Sequence, residues 1–439
     1  MRHPQTTAYN IENRGASDAS YFLIAVPPSK APHLAIVEAF VSQKKTPVQA
    51  TQVEVKGSPD DSAVFMVMLP SNVAKGQSAK VSVKVSFTHT LTPFPAAIAQ
   101  TERQLMLYND STLIYVPHLV ESQKTTVVLS TDSVESYTPR KIGTKSGNRI
   151  VYTPIATLMA PYSSGETLTV HYENNSPFAT MRTLDKEIEV SHWGNIAVTE
   201  MYLLEHTGAA LKGEFRRSRY ESPYSDRGAS AFDVLPLVLP PMARELYFRD
   251  VIGNISSSRA RFEKDRVYVE LRPRYPLFGG WKADLEFGYS LPVEGVLTRN
   301  ADKTNELVLD IPFGSAFQSV CVDQISVRVV LPEGAQNIRW ETPFDVDSED
   351  FETRLTYLDT SGRPVLLLKK SNIVVGHSKK FRVVYEFPEH NLWREPGILI
   401  MALLAIMVLS MIYVRVDFSF GPAPASAAAA AAASAKKFE

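Results

Sequence analysis

A mainly β fold is predicted: two tandem β-sandwich-like domains related by an internal duplication, followed by one transmembrane helix. Three observations predict it. Apolar and polar residues alternate at period two through much of the first 395 positions. Blocks of the first half return in the second half in the same order. One run of eighteen residues, Gly397 to Val414, carries no formal charge.

The alternation is clearest where Val81, Val83, Val85 and Phe87 interleave with Ser82, Lys84 and Ser86. Val267, Val269 and Leu271 interleave likewise with Tyr268, Glu270 and Arg272. Successive strand side chains point to opposite faces, so each run has one buried and one wet face. Proline and glycine punctuate at short intervals, as at Pro93/Pro95, Pro273/Pro276 and Gly279/Gly280. Antiparallel sheets packed as sandwiches, with limited helix, are the expected result.

The duplication rests on four matches. KVSVKVSFTHTL at Lys80–Leu91 lies over GWKADLEFGYSL at Gly280–Leu291, an offset of 200. RQLML at Arg103–Leu107 lies over NELVL at Asn305–Leu309, and VVLS at Val127–Ser130 over VVLP at Val329–Pro332, both at 202. TLTVHYE at Thr167–Glu173 lies over KFRVVYE at Lys380–Glu386, at 213. The common order and slowly growing offset predict domain one over 1–180 and domain two over 181–395.

The uncharged run is bounded by Glu395 and Arg415. At 1.5 Å per residue it spans about 27 Å, a bilayer's hydrocarbon thickness. A backbone in hydrocarbon must satisfy its own polar groups, which selects a helix. Pro396 suits the first helical turn, and Trp393 and Tyr413 stand where aromatic rings prefer the headgroup layer. The transmembrane helix is placed at 396–414, with Ala402, Ala405 and Ser410 as small residues for helix packing. Residues 415–439 read as a short cytosolic low-complexity tail.

Orientation is suggested by two cues. Arg415, Lys436 and Lys437 follow the span and Arg394 precedes it, a slight positive-inside bias that puts the large part outside the cytosol. N-x-S triplets at Asn109, Asn174 and Asn254 agree with a lumenal location, although Pro177 disfavours the second. No basic-then-apolar leader is visible near Met1, so either it has been removed or the single span directs insertion. The net charge of −1 carries no global pull toward nucleic acid. The single cysteine, Cys321, cannot form an intramolecular disulfide and reads as a small buried hydrophobe in a strand.

Catalytic patterns are missing: there is no H-E-x-x-H, G-x-S-x-G, P-loop or G-x-G-x-x-G. His171 and His192 lie in strand-like runs and read as structural. DVDSED at Asp345–Asp350 imitates a hard-metal site, but supplies too few oxygen ligands and lacks the glycine of a calcium loop. FRRSRYESPYSDR at Phe215–Arg227 has the composition of a phosphate or single-strand binder, and equally of a solvated loop. No cofactor, metal or catalytic residue is expected.

Several blocks together resemble the ribophorin I family: IEVSHWGNIAV (Ile188–Val198), HTGAALKGEF (His206–Phe215), YFRDVIGNIS (Tyr247–Ser256), RPRYPLFGGWK (Arg272–Lys282), LPEGAQNI (Leu331–Ile338), TYLDTSGRPV (Thr356–Val365) and YVRVDFS (Tyr413–Ser419). The resemblance implies a non-catalytic subunit of the endoplasmic reticulum oligosaccharyltransferase, a type I membrane protein. Its implied partners are the catalytic and small membrane subunits, nascent acceptor chains near the translocon, and the lipid bilayer, with no nucleic acid. Catalysis then belongs to another subunit. The resemblance ranks Asn254 above Asn109 and Asn174 as a glycan acceptor. A different class, an independent membrane-anchored peptide- or glycan-binding chaperone or receptor, fits the same sheets with free edges.

Overall fold

The computed structural model describes residues 3–416 apart from 42–45, 154–157, 222–229, 301–304, 318–319 and 357. The tail expected over 415–439 lies almost wholly outside the described residues, as does much of Phe215–Arg227. The chain is mostly strand, as its alternation predicts.

The first half is two sandwiches. In one, a four-stranded sheet ordered His3–Glu12, Ser78–Phe87, Leu34–Val41, Thr46–Val48 packs on a three-stranded sheet ordered Ala19–Val26, Ala63–Val73, Ala50–Gln52. Phe22, Ile24 and Val67 from one sheet and Ala39, Val81 and Val83 from the other make its core. The second sandwich sets Val134–Thr138, Thr167–Glu173, Leu105–Ser111, Leu91–Pro93 against Thr125–Val128, Arg149–Tyr152, Gly143–Ser146. Met106, Leu168, Val170 and Ile150 fill it.

The second half repeats these orders. Leu235–Leu239, Val267–Leu271, Arg259–Phe262 matches the first three-stranded sheet. Gln336–Glu341, Lys380–Glu386, Glu306–Pro312, Leu297–Arg299 matches the second four-stranded one. The other two are fused into one sheet of eight strands. We label these β1 (Ala179–Ser191), β2 (Asn195–His206), β3 (Arg244–Asp250), β4 (Gly253–Asn254), β5 (Lys282–Pro292), β6 (Cys321–Val330), β7 (Ser348–Arg354) and β8 (Arg363–Ile373). Their order is β4-β3-β5-β2-β1-β6-β8-β7. Four strands on one side correspond to a four-stranded sheet of the first half, and three on the other to a three-stranded sheet. β1 is the addition that joins them, antiparallel to β2 and parallel to β6. Leu184, Ile188, Val198, Val327 and Val329 are among the side chains of the single large core beneath.

The two ends of this sheet meet different neighbours. At the starts of β1 and β6 sits the first half: His89 pairs with Asp323 at 2.7 Å, the Thr88 hydroxyl donates to Asn372 at 2.8 Å, and Asn372 donates to the Pro32 carbonyl at 2.8 Å. Gln104 bridges as well, accepting from the Ala209 amide at 2.8 Å. At the other end a 3-10 turn, Glu389–Trp393, leads into the C-terminal helix Arg394–Arg415. Its 22 residues rise about 33 Å, and none is buried. It begins two residues before the predicted start, with Pro396 in its first turn, and is long and apolar enough to cross a membrane.

Candidate functional site

Charged side chains from several elements gather at the joint between sheet and helix. Five pieces of chain converge there: the β1–β2 turn at 192–194, the segment 331–335 after β6, the β7–β8 connection, the 3-10 turn, and the first helical residues. The parallel register of β1 and β6, with Glu189 opposite Val330, brings the first two to the same level.

Glu333 is the centre. One of its carboxylate oxygens accepts from the Thr360 amide at 2.9 Å and hydroxyl at 2.8 Å, and from the Ser361 amide at 2.5 Å and hydroxyl at 2.7 Å. Arg394 donates to the Thr360 hydroxyl at 3.0 Å and stands 3.7 Å from the same carboxylate. Burial pushes this carboxyl up, and the hydrogen bonds from Ser361 and Thr360 outweigh it and bring the group down to about 2. It is therefore a fixed anion that organises the turn and places it against the helix start.

Arg363, at the start of β8, makes the second tie. Its guanidinium reaches Glu189 of β1 at 2.9 Å, Asp359 at 3.3 Å and Glu395 at 2.9 Å. Asp359 also accepts from the Thr356 amide at 2.8 Å and hydroxyl at 2.6 Å, which fixes the connection. Glu395 lies in the first helical turn, where negative charge complements the helix dipole. Asn391 adds a bond to the Gly334 carbonyl at 3.3 Å, and Leu392 packs on the large core. Beside them His192 bonds the Tyr385 hydroxyl at 2.8 Å and meets Phe387 edge-on at 4.2 Å. Burial and the nearby Arg299 charge push the imidazole down to about 4, so it is neutral and structural, as the sequence predicts. A small cleft opens at this joint between Ser191, Trp193, Glu333, Asn391, Arg394 and Glu395.

A second charged group is buried in the sheet. Lys186 on β1 stands 3.4 Å from Glu200 on β2 and donates to the carbonyls of Pro312 at 3.0 Å and Gly314 at 2.8 Å. Burial lowers the lysine pKa, opposed by the Glu200 charge. The Ser315 hydroxyl donates to Glu200 at 3.2 Å. Every contact is internal, so the pair clamps the eight-stranded sheet to the segment after Glu306–Pro312.

The remaining sequence candidates are scattered. Asn254 is exposed on β4 and Asn109 on Leu105–Ser111. Asn174 is 3% exposed, its carboxamide oxygen accepting from the Ser176 amide at 3.1 Å, so a glycan there would have to be added before this region closes. Ala402, Ala405 and Ser410 face outward on the helix, spread over an arc of roughly 140°. Asp347 of the acidic run is occupied by the Ser371 amide at 2.7 Å and hydroxyl at 2.6 Å, with Lys370 at 3.6 Å. Cys321 is buried on β6. Glu333, Arg363 and Trp193 were not singled out from sequence. Each lies inside a block that carries the family resemblance, and only the fold brings the three together.

Comparison with known proteins agrees across nearly the whole chain. The family model described as Ribophorin I matches residues 3–414. Dolichyl-diphosphooligosaccharide–protein glycosyltransferase subunit 1B of Arabidopsis thaliana is 38% identical over 413 residues, covering 93% of this chain and 88% of that protein. Subunit 1B of Oryza sativa subsp. japonica is 35% identical, covering 92% and 85%, and subunit 1 of Caenorhabditis elegans is 37% identical, covering 94% and 70%. Among solved structures an M1 zinc metallopeptidase from Deinococcus radiodurans aligns over 48% of this chain and 42% of that one at 11% identity, with a TM-score of 0.28, too distant to carry an argument.

Proposed function

Because the chain belongs to the ribophorin I family, we propose that it serves N-linked glycosylation as a non-catalytic subunit of oligosaccharyltransferase in the endoplasmic reticulum membrane. The observation that carries this reading is the match to subunit 1 of that enzyme over more than nine-tenths of the chain. The transfer of glycan from the dolichyl diphosphate carrier is assigned to another subunit. The two β domains, 1–180 and 181–395, stand in the lumen on one helix, hold acceptor chains near the transferase, and stabilise the complex. Tethering of this kind raises effective concentration without bond chemistry.

Purification of the tagged full chain in mild detergent tests the proposal. Co-migration with a multi-spanning subunit, and glycan transfer to an acceptor peptide by that assembly but not by the chain alone, is the expected result. Transfer by the isolated chain, or migration as a lone monomer that binds peptide, overturns it.

A further inference from the structure

Three large apolar side chains stand exposed at the helix joint: Trp193 at 64%, Leu355 at 70% and Leu358 at 45%. They come from two separate connections, the β1–β2 turn and the β7–β8 link. Both connections are fixed in height relative to the helix. Arg394 bonds Thr360, two residues beyond Leu358, and Trp193 shares the cleft with Arg394 and Glu395.

That height decides what covers them. The apolar run begins at Gly397, so Arg394 and Glu395 lie only about 3–5 Å outside the hydrocarbon at 1.5 Å per residue. The headgroup layer is about 5–7 Å deep on each side. Whatever touches these two residues therefore lies within it. Tryptophan is enriched at this depth because its ring is apolar and its N–H needs a polar partner.

We propose that the base of the eight-stranded sheet is seated in the lipid headgroup layer, with Trp193, Leu355 and Leu358 reaching the upper acyl chains. The occupant of this apolar face is thus the membrane surface itself, continuous with the contact the helix makes. The inference rests on the helix spanning a bilayer and not on membership of the transferase complex.

The test is depth-dependent fluorescence quenching of the full chain in phosphatidylcholine nanodiscs. Of the four tryptophans, Trp281, Trp340 and Trp393 are replaced by Phe, which leaves Trp193 alone. A companion variant keeps only Trp393. The expected result is loss of Trp193 emission in discs whose lipids are brominated near the top of the acyl chain, and little quenching by aqueous iodide. Leu358→Cys in a Cys321→Ser background, carrying a polarity-sensitive dye, should show the same bromolipid quenching if the triple variant folds poorly. Bromolipid quenching of Trp393 without any of Trp193 or the Leu358 label overturns the inference while the span stands. Failure of all three probes removes the span as well. Iodide protection that arises only inside a purified multi-subunit complex, with no bromolipid quenching, overturns lipid in favour of a protein partner.

Discussion

Replacing Glu333 by Gln should loosen the joint by an amount that can be worked out in two ways. Glutamine keeps an oxygen for the four donors from Thr360 and Ser361 but removes the charge they stabilise. The fall of the carboxyl from 4.5 to about 2 corresponds to about 3 kcal/mol at 1.36 kcal/mol per pH unit. Hydrogen bonds to a charged acceptor exceed neutral ones by about 1 kcal/mol each, which gives the same order for four donors sharing one oxygen. In a half-chain of about 200 residues this lowers the unfolding midpoint by roughly 6–12 °C. The sign with pH follows from the depressed value. The stabilisation is fully present above pH 4.5 and is lost as pH falls toward 2, because the unfolded carboxylate takes up its proton first. Scanning calorimetry of wild type and variant in the same nanodiscs, at neutral pH and at steps below 4.5, reads both effects. Equal midpoints at neutral pH, or a gap that persists undiminished down to about pH 2, would refute the reading of Glu333 as the organising anion.

Two further predictions concern other parts of the chain. Lys186→Met leaves Glu200 buried without a countercharge and should cost about 3–5 kcal/mol, whereas adding Glu200→Leu should recover part of that loss; thermal melts of both variants decide, and a double variant no better than the single one counts against the buried pair. Asn254→Gln and Asn109→Gln should each remove one glycan from the intact mass, while Asn174→Gln should leave it unchanged, because Asn174 is buried and held by Ser176; a mass loss at Asn174 would mean that it is modified before its sandwich closes.

The local part of this architecture was legible in the sequence. Val81 and Val83, and Val267, Val269 and Leu271, are buried in the alternation that predicted them as strand faces. The exposed helix was legible because a membrane span is defined by its own composition. Pairings between distant segments were not. The parallel partnership of β1 with β6 joins positions separated by more than 130 residues, and strand propensity says nothing about which edge a strand will find. The same holds for the joint. Arg363 and Glu189 are 174 positions apart, and Glu333 meets Thr360 across 27. The sequon at Asn174 shows the converse, a short motif that is complete in sequence yet lies in a buried position.

The repeated strand orders bear on how the second half, which carries the helix, differs from the first. In the first half the sheets containing Ser78–Phe87 and Arg149–Tyr152 are separate, each with its own core. A hinge between two cores moves easily, because few apolar contacts cross it. In the second half β1 hydrogen-bonds to both neighbours over most of its length and merges the corresponding sheets over one core. We propose that the halves arose by duplication, the strand orders of the first half recurring in the second with β1 as the one strand between them that has no counterpart. Arg182, near the start of β1, bonds Asp323 at 2.8 Å, and Asp323 in turn pairs with His89 of the first half. Glu189, near its end, bonds Arg363, which holds Glu395 of the helix. Seven residues at about 3.3 Å put the two attachments roughly 23 Å apart along the strand. One hydrogen-bonded strand thus connects the start of the helix to the first half through these ion pairs. Two sheets joined only by loops would lack that continuous hydrogen-bonded link.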